Sequence, residues 1–262
     1  GAAAAAPIIL NIILILSLII SYKFNLNFTK QLSFGVTVAG ILQFIFLFFV
    51  TLKFYKPTLT FKIKADNKVK RFFKKLMPSI FSSGVTQINI LIGTIIASFE
   101  TGAVSYLYYA DRIYQINLAI AGIAVGTVSL PVLSKAFKNK NFKKLSNIQS
   151  KSFELSLLLS VPASFGLIIA SEEIVNALFG YGSFNKEDVQ STADALKYFA
   201  YGVPAFALVK ILSNFFFARD NTKIPFYISI AMVTINLSIS LSLFSNFGFI
   251  IIPIATSIAT WI

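Results

Sequence analysis

Two adjacent charged residues, Asp111 and Arg112, lie inside a long apolar stretch that runs from Ala103 to Pro131. The stretch is long enough to cross a membrane as a helix, which takes about 20 residues. Charged side chains inside a membrane are costly and usually face a water-filled cavity or a charged ligand. Arginine suits phosphate because its planar guanidinium donates two parallel hydrogen bonds. We therefore predict that Arg112 lines a cavity and binds an anion there.

Helical periodicity groups other polar side chains with this pair. If the span begins near Ala103, Arg112 lies about 13 Å along it, near the middle of a hydrocarbon core about 30 Å thick. Asp111 and Gln115 are four residues apart and share a face, whereas the side chains of Asp111 and Arg112 diverge by about 100°. The predicted polar stripe consists of Ser105, Tyr108, Asp111, Arg112 and Gln115. The alternative is that carboxylates or backbone carbonyls of neighbouring helices satisfy Asp111 and Arg112.

Two further cations lie within predicted spans. Lys210 lies roughly seven residues from the end of its span and is a second cavity candidate, although its long stem could also carry the ammonium group to the interface. Lys197 lies near the opposite interface, where such snorkelling is expected. The uncharged polar residues of the spans are predicted to hydrogen-bond between helices, and they include Gln87, Asn89, Asn214 and Asn236.

The composition is that of an all-α polytopic membrane protein. Hydrophobic residues make up 56% of the 262 residues, charged residues 13%, and the mean hydropathy is +0.77. Soluble domains carry about 25% charged residues. The apolar residues fall in repeated blocks of about 20, which predicts about eight transmembrane helices. These lie at approximately 4–21, 31–52, 76–98, 103–132, 152–170, 191–217, 224–244 and 250–262.

The charges of the connecting segments alternate along the chain and predict an orientation. Nine Lys and Arg residues lie in 53–75, six in 133–151 and two in 218–223, against three in the four opposite connections. Lys and Arg are enriched in cytoplasmic loops, so these three basic segments are predicted to be cytoplasmic. They also attract anionic lipids, which makes membrane lipids an expected partner. A role in guiding a substrate or docking a protein partner is the alternative.

Several classes of function are disfavoured by the placement of charge and by the residue types that the sequence lacks. The net charge of +13 is concentrated in the connections of a membrane protein, so no nucleic-acid partner is expected. The sequence has no Cys and no His, which removes disulfides, thiol nucleophiles, imidazole bases and most zinc sites. It has no Gly-rich phosphate loop and no carboxylates with metal-ligand spacing in its spans. We expect neither an enzyme nor a bound cofactor or metal.

The block Tyr-Tyr-Ala-Asp-Arg, from Tyr108 to Arg112, is the most specific motif of the chain and lies within residues 97–115. This segment resembles the MurJ/MviN family of lipid II flippases. The resemblance extends over essentially the whole chain and includes 122–134, 178–184, 210–220 and the opening Ala-rich helix with Pro7 and Asn11.

The resemblance implies a fold and a topology. Family members have fourteen spans, arranged as two six-helix lobes in an inverted V followed by two C-terminal helices. On that template the chain is an internal fragment that holds spans five to twelve. Residues 1–75 would be the last two helices of the first lobe with a basic cytoplasmic linker. Residues 76–262 would be the second lobe with its last helix truncated, and a monomer is expected.

The resemblance also implies a function. The whole protein would move lipid II, an undecaprenyl-pyrophosphate-linked disaccharide peptide, from the cytoplasmic to the periplasmic leaflet of the bacterial inner membrane by alternating access. Arg112 would bind the pyrophosphate, and Asp111, Gln115 and Ser105 would shape the cavity, with Lys210 as a further candidate. The family's other cavity arginines belong to its first two spans, so this chain alone is not expected to flip lipid.

Two alternatives remain open. The first is another exporter of the same superfamily, which carries a different polyprenyl-pyrophosphate-linked saccharide or a small molecule. A cation exporter would rely on buried carboxylates, and Asp111 is the one carboxylate well inside a predicted span. The second is a non-transporting membrane scaffold, for which a water-accessible Arg112 would be unnecessary.

Overall fold

The computed structural model describes residues 2–55, 69, 87 and 89–262, and these parts are helical and contain no strand. The helices are α1 (Ala2–Lys23), α2 (Phe28–Leu52), α3 (helical over residues 89–97), α4 (Ala103–Leu118), α5 (Val125–Lys138), α6 (Phe142–Ile169), α7 (Ser171–Phe179), α8 (Lys186–Phe217), α9 (Lys223–Phe247) and α10 (Ile251–Trp261). A π-helical segment, Ala119–Ala124, joins α4 to α5, and a 3-10 turn, Gly248–Ile250, joins α9 to α10.

Six helical runs within the described ranges are long and apolar enough to cross a membrane, which confirms the all-α membrane architecture. They are Ala5–Lys23, Phe28–Leu52, Ala103–Lys138, Phe142–Ile169, Lys186–Phe217 and Lys223–Trp261. The last run consists of two helices, α9 and α10, and the chain reverses direction between them. A hydrogen bond joins the two helices, from Asn236 Nδ2 of α9 to Thr256 Oγ1 of α10 at 2.8 Å. Most of the predicted span 76–98 and of the basic segment 53–75 lies outside the described residues, so the total of eight spans stays a prediction.

The chain divides into two compact units, Gly1–Ala65 and Asp66–Ile262. In the first unit α1 and α2 form an antiparallel hairpin, since Gln43 Nε2 of α2 donates to the carbonyl oxygen of Ala6 in α1 at 3.0 Å. Asn27 caps α2 by accepting a hydrogen bond from the backbone N–H of Lys30. The division into two lobe fragments stays a prediction.

In the second unit α8 is the central helix and contacts α4, α6, α7 and α10. A large apolar cluster surrounds its first half and includes Leu196, Phe199 and Val203. A smaller cluster joins the ends of α5 and α8 to the start of α6, and consists of Leu133, Ala136, Leu145 and Ala218. The second half of α8 between these clusters is less completely covered, which leaves room for a cavity beside it.

Side chains of neighbouring helices satisfy backbone carbonyls in the middle of α8. Pro204 has no N–H to donate to the carbonyl of Ala200, four residues earlier. The buried hydroxyl of Ser164 in α6 donates to that carbonyl oxygen at 2.6 Å instead. Ser257 of α10 donates in the same way to the carbonyl oxygen of Tyr198 at 2.6 Å. A proline inside a membrane helix is tolerated when neighbours satisfy the freed backbone group, and Ser164 does so here.

A carboxylate ties the turn between α9 and α10 to the end of α3. Gly248 has φ +60°, a backbone conformation that favours glycine. The next residue, Phe249, donates its backbone N–H to Glu100 Oε2 at 2.7 Å. This contact fixes the end of the bundle opposite the connection between α8 and α9.

Candidate functional site

A cavity of about 1060 Å³ lies in the second unit between α3, α4, α8, α9 and α10. Apolar side chains form most of its wall. Its polar lining includes Asn89, Asp111, Tyr114, Gln115, Lys210, Ser213, Asn214, Asn236 and Thr256. A largely apolar cavity with a few convergent polar groups is the usual form of a ligand site.

The π-helical segment brings α8 close to the continuous α4–α5 helix at one wall of this cavity. A Cβ added at Gly122 would lie 3.2 Å from the Cα of Ala207 and 3.5 Å from the Cβ of Lys210. Small residues such as glycine let helix backbones approach this closely. The wide π turn and the missing side chain together place the exposed Lys210 against the π segment, and both line the cavity. π segments inside α-helices often mark functional sites.

Asp111 is held in the cavity wall by residues of its own helix. Gln115 Nε2 donates a short hydrogen bond to Asp111 Oδ2, which confirms that these residues share a face. The hydroxyl of Tyr114 also hydrogen-bonds with this carboxylate. The ring of Tyr114 stacks on Phe199, with centroids 4.8 Å apart, and on Phe206, at 5.4 Å. The core of the bundle therefore fixes Tyr114, one of the two residues that hydrogen-bond with the Asp111 carboxylate.

Arg112 lies on the neighbouring face of α4 and is not among the residues that line the cavity. Its side chain is exposed, and its guanidinium carbon lies 4.7 Å from the centroid of the Tyr108 ring. This distance is that of a cation–π contact between residues one helical turn apart. Ser105 is also exposed and lies outside the cavity lining. Tyr108 contacts Arg112 and also lines the cavity, so it connects the two faces.

The five predicted site residues are thus divided between two neighbouring places. Asp111, Gln115 and Lys210 meet at the cavity, whereas Arg112 and Ser105 face outward from α4. Consecutive helical residues diverge by about 100°, and this angle separates Arg112 from Asp111. Within the described ranges, no group of three or more His, Cys, Asp or Glu side chains is placed to hold a metal ion.

Several polar residues of the cavity were not among the sequence-predicted site residues. Asn236 donates to Thr256, as expected for a polar side chain between membrane helices. Asn214 faces Gly126, whose missing side chain gives the amide its space. Tyr114 was not identified as a site residue from the sequence, because an aromatic residue within an apolar helix is usually part of the core. Its place three residues after Asp111 on a helix was the signal that could have identified it.

Comparison with known proteins shows what the chain resembles along its whole length. The sequence profile described as "Lipid II flippase MurJ" matches residues 1–262. A "Probable lipid II flippase MurJ" of Rickettsia prowazekii is 39% identical over 264 residues, which cover 100% of this chain and 51% of the relative. A protein of the same name from Rhizobium meliloti is 38% identical over 270 residues, with coverages of 100% and 49%. The chain therefore spans about half the length of these curated relatives.

Two solved structures of membrane transporters have a fold similar to that of this chain. A structure titled "Lipid II flippase MurJ, inward closed conformation" matches with a TM-score of 0.82 at 28% identity, and the match covers 99% of this chain and 53% of that one. An outward-facing multidrug resistance transporter of the MATE family matches with a TM-score of 0.61 at 16% identity, and covers 71% of this chain and 41% of that one. The second match concerns the fold alone.

Proposed function

Because the chain belongs to the lipid II flippase MurJ family, we propose that it forms part of a protein that flips lipid II across the bacterial inner membrane. The substrate moves from the cytoplasmic to the periplasmic leaflet by alternating access between two lobes. The chain spans about half of its relatives, so the remaining half supplies the rest of the transport pathway. The protein acts as a transporter and as a monomer, and it performs no covalent chemistry.

The observation that carries the proposal is the placement of Arg112. Its exposed guanidinium extends from a helix that is long and apolar enough to span a membrane. The desolvation cost of such a cation is offset when it meets an anion in a water-filled space. The pyrophosphate of a lipid carrier supplies two neighbouring phosphates, which match the parallel donors of a guanidinium. Arg112 therefore binds the pyrophosphate on the outward face of α4.

The cavity beside Arg112 has a supporting role in this proposal. Lys210 contributes a cation to its lining, and Asp111 and Gln115 contribute a hydrogen-bonded polar pair on its wall. Tyr108 contacts Arg112 and also lines the cavity. Movement of Arg112 on binding an anion would therefore displace the Tyr108 ring in the cavity wall. Ser105 lies one turn earlier than Tyr108 on α4 and extends the polar face toward the start of the helix.

The orientation in the membrane follows from loop charge. The segments 53–75, 133–151 and 218–223 carry most of the Lys and Arg residues and lie on the cytoplasmic side. The described helices α5 and α6 extend into 133–151, so much of this basic segment is helix that projects from the membrane with its lysines in water. Its lysines also bind anionic lipid headgroups.

Depletion of the full-length protein tests the substrate. Cells that lose it are expected to accumulate lipid II on the cytoplasmic side, because export stops while synthesis continues. The measurement is the amount of each polyprenyl-linked intermediate in membrane extracts. An increase in a different polyprenyl-pyrophosphate saccharide, with unchanged lipid II, would show that the protein is another exporter of this superfamily.

Thiol labelling distinguishes a transporter from a membrane scaffold. Gln115→Cys is expected to react with a membrane-impermeant maleimide at least about tenfold faster than a lipid-facing Cys, because a thiolate forms readily in water and poorly in apolar surroundings. The matched control is Leu158→Cys, whose parent side chain is 69% exposed in the middle of α6. The chain has no native Cys to interfere. Equal protection of both positions from both sides of the membrane would favour the scaffold.

A further inference from the structure

A second cavity, of about 350 Å³, lies where the loop between α7 and α8 meets α4. Its lining consists of Tyr109, Phe179, Tyr181, Ser183 and Phe184, and we call it the aromatic pocket. Four of these residues belong to the family-like segment 178–184, to which the flipping reaction proposed above assigns no role. The volume is at the lower end of the range for small-ligand sites, about 300–1,000 Å³.

Three rings of the aromatic pocket are fixed in a mutually inclined arrangement. The ring of Tyr109 lies 4.7 Å from that of Phe179 and 5.4 Å from that of Phe184, where the planes are nearly perpendicular at 88°. Phe179 and Phe184 are 6.1 Å apart. All three are half-buried. Phe179 and Phe184 pack on the core, and Tyr109 packs on these two rings, so the rings are held in place before any ligand arrives. Tyr181 is 72% exposed and forms an open edge of the pocket.

The polar groups of the lining point to a neutral, hydroxyl-rich ligand. Tyr109, Tyr181 and Ser183 contribute hydroxyl groups, which both donate and accept hydrogen bonds. None of the five lining residues is charged. A site for an organic cation would gain from a carboxylate beside its aromatic rings, and this lining has none. A sugar ring fits the pattern, because its C–H faces contact aromatic faces and its hydroxyls meet the polar rim.

The aromatic pocket is linked to Arg112 by one intervening ring. The Arg112 guanidinium carbon lies 4.7 Å from the Tyr108 ring, and the Tyr108 and Tyr109 rings are 6.2 Å apart. A sugar that is bonded directly to a pyrophosphate lies next to the phosphates. A ligand whose phosphates bind Arg112 therefore has its sugar within reach of Tyr109 when the sugar points toward the aromatic pocket.

We propose that the aromatic pocket is a saccharide subsite, which binds a sugar ring of the pyrophosphate-linked substrate held by Arg112. The inference rests on the proposed function and deepens it, since it gives the carbohydrate its own contact residues. Tyr109 and Tyr181 provide ring faces and hydroxyls, Phe179 and Phe184 shape the floor, and Ser183 adds a hydrogen bond at the rim.

Affinity measurements on the full-length protein in lipid nanodiscs test the subsite. The probes are lipid II, lipid II without its peptide, and undecaprenyl pyrophosphate, which has no sugar. Tyr181→Ala is expected to weaken binding of both sugar-bearing lipids roughly three- to tenfold, as for the loss of one ring contact, and to leave undecaprenyl pyrophosphate unchanged. Tyr181→Phe keeps the ring and should retain most of the affinity. The matched control is Tyr22→Ala, whose parent side chain is 80% exposed at the end of α1.

The outcomes separate the subsite from the pyrophosphate site. Arg112→Ala should weaken binding of all three lipids, and its failure to do so would contradict the role of Arg112. Unchanged binding of every lipid to Tyr181→Ala would overturn the saccharide subsite and leave Arg112 unaffected. A loss that includes undecaprenyl pyrophosphate would reveal a general structural effect and also overturn it. A loss confined to lipid II with its peptide would assign the pocket to the peptide instead.

Discussion

Arg112→Ala in the full-length protein is expected to abolish growth of cells that carry this variant as their sole copy, because the proposed lipid II flippase needs this cation. In the proposed pyrophosphate site the variant would lose charge-assisted hydrogen bonds worth about 1.5–3 kcal/mol, which corresponds to a roughly 10- to 100-fold loss of affinity. The side chain is exposed and contacts the ring of Tyr108, so its removal should leave the fold intact. Growth, lipid II accumulation and the amount of protein in the membrane are the three measurements.

Two further variants sharpen this test. Arg112→Lys keeps the charge but loses the planar fork, and should rescue growth partly or not at all. Lys197→Ala removes another exposed cation from a membrane helix, and should grow normally because this side chain is expected to extend to the interface. Normal growth of Arg112→Ala at a wild-type protein level would disprove the assignment of Arg112. Poor growth of Lys197→Ala would mean that growth depends on the total positive charge within the spans and not on a cation at position 112.

Gly122→Leu is expected to destabilise the second unit by about 3 kcal/mol or more, at the upper end of the cost of overpacking. The new Cβ would lie 3.2 Å from the Cα of Ala207, and backbone cannot move aside as a flexible side chain can. The π segment and α8 would have to separate, which also displaces Lys210 from the cavity wall. The measurements are the amount of folded protein in the membrane and the midpoint of thermal unfolding in detergent.

Gly166→Leu is the matched control for this substitution. Gly166 lies within α6, and a Cβ added there meets nothing within 4 Å. The gain in helix propensity from replacing glycine, about 1 kcal/mol, is similar at both positions and cancels in the comparison. Equal unfolding midpoints for the two variants would show that the contact between the π segment and α8 is looser than the structure has it.

The ends of the described helices were largely predictable from hydropathy, and the reason for each difference is physical. The predicted span 191–217 begins at Lys186 in the structure, because Asn185 and Asp188 form a capping box that starts the helix in water. The predicted span 152–170 begins at Phe142 for the same kind of reason, with Asn141 as its cap. Hydropathy locates the part of a helix inside the membrane and carries no information about polar turns beyond it.

The sequence predicted three of the residues that line the cavity, Asp111, Gln115 and Lys210, and did not predict how the polar residues of α4 divide between its faces. The spacing of Asp111 and Gln115 correctly predicted a shared face, and in the structure the two side chains are also hydrogen-bonded. The sequence grouped Arg112 with them, since all three are polar and close together along one helix. The structure places Arg112 on a different face from the cavity. That division depends on where α8 packs against α4 and on which face of α4 borders the cavity, and the sequence of one helix does not contain this information.

The hydrogen bond between Ser164 and the carbonyl of Ala200 has a consequence for how this protein changes during evolution. Pro204 frees that carbonyl, and Ser164 on another helix satisfies it. Loss of Ser164 leaves a buried acceptor unsatisfied as long as Pro204 is present, and the same loss is nearly harmless once residue 204 carries an N–H. Residues 164 and 204 are far apart in sequence, but the effect of a mutation at one depends on the residue at the other. Replacement of Pro204 before Ser164 gives a stable single mutant, whereas the reverse order gives a destabilised one.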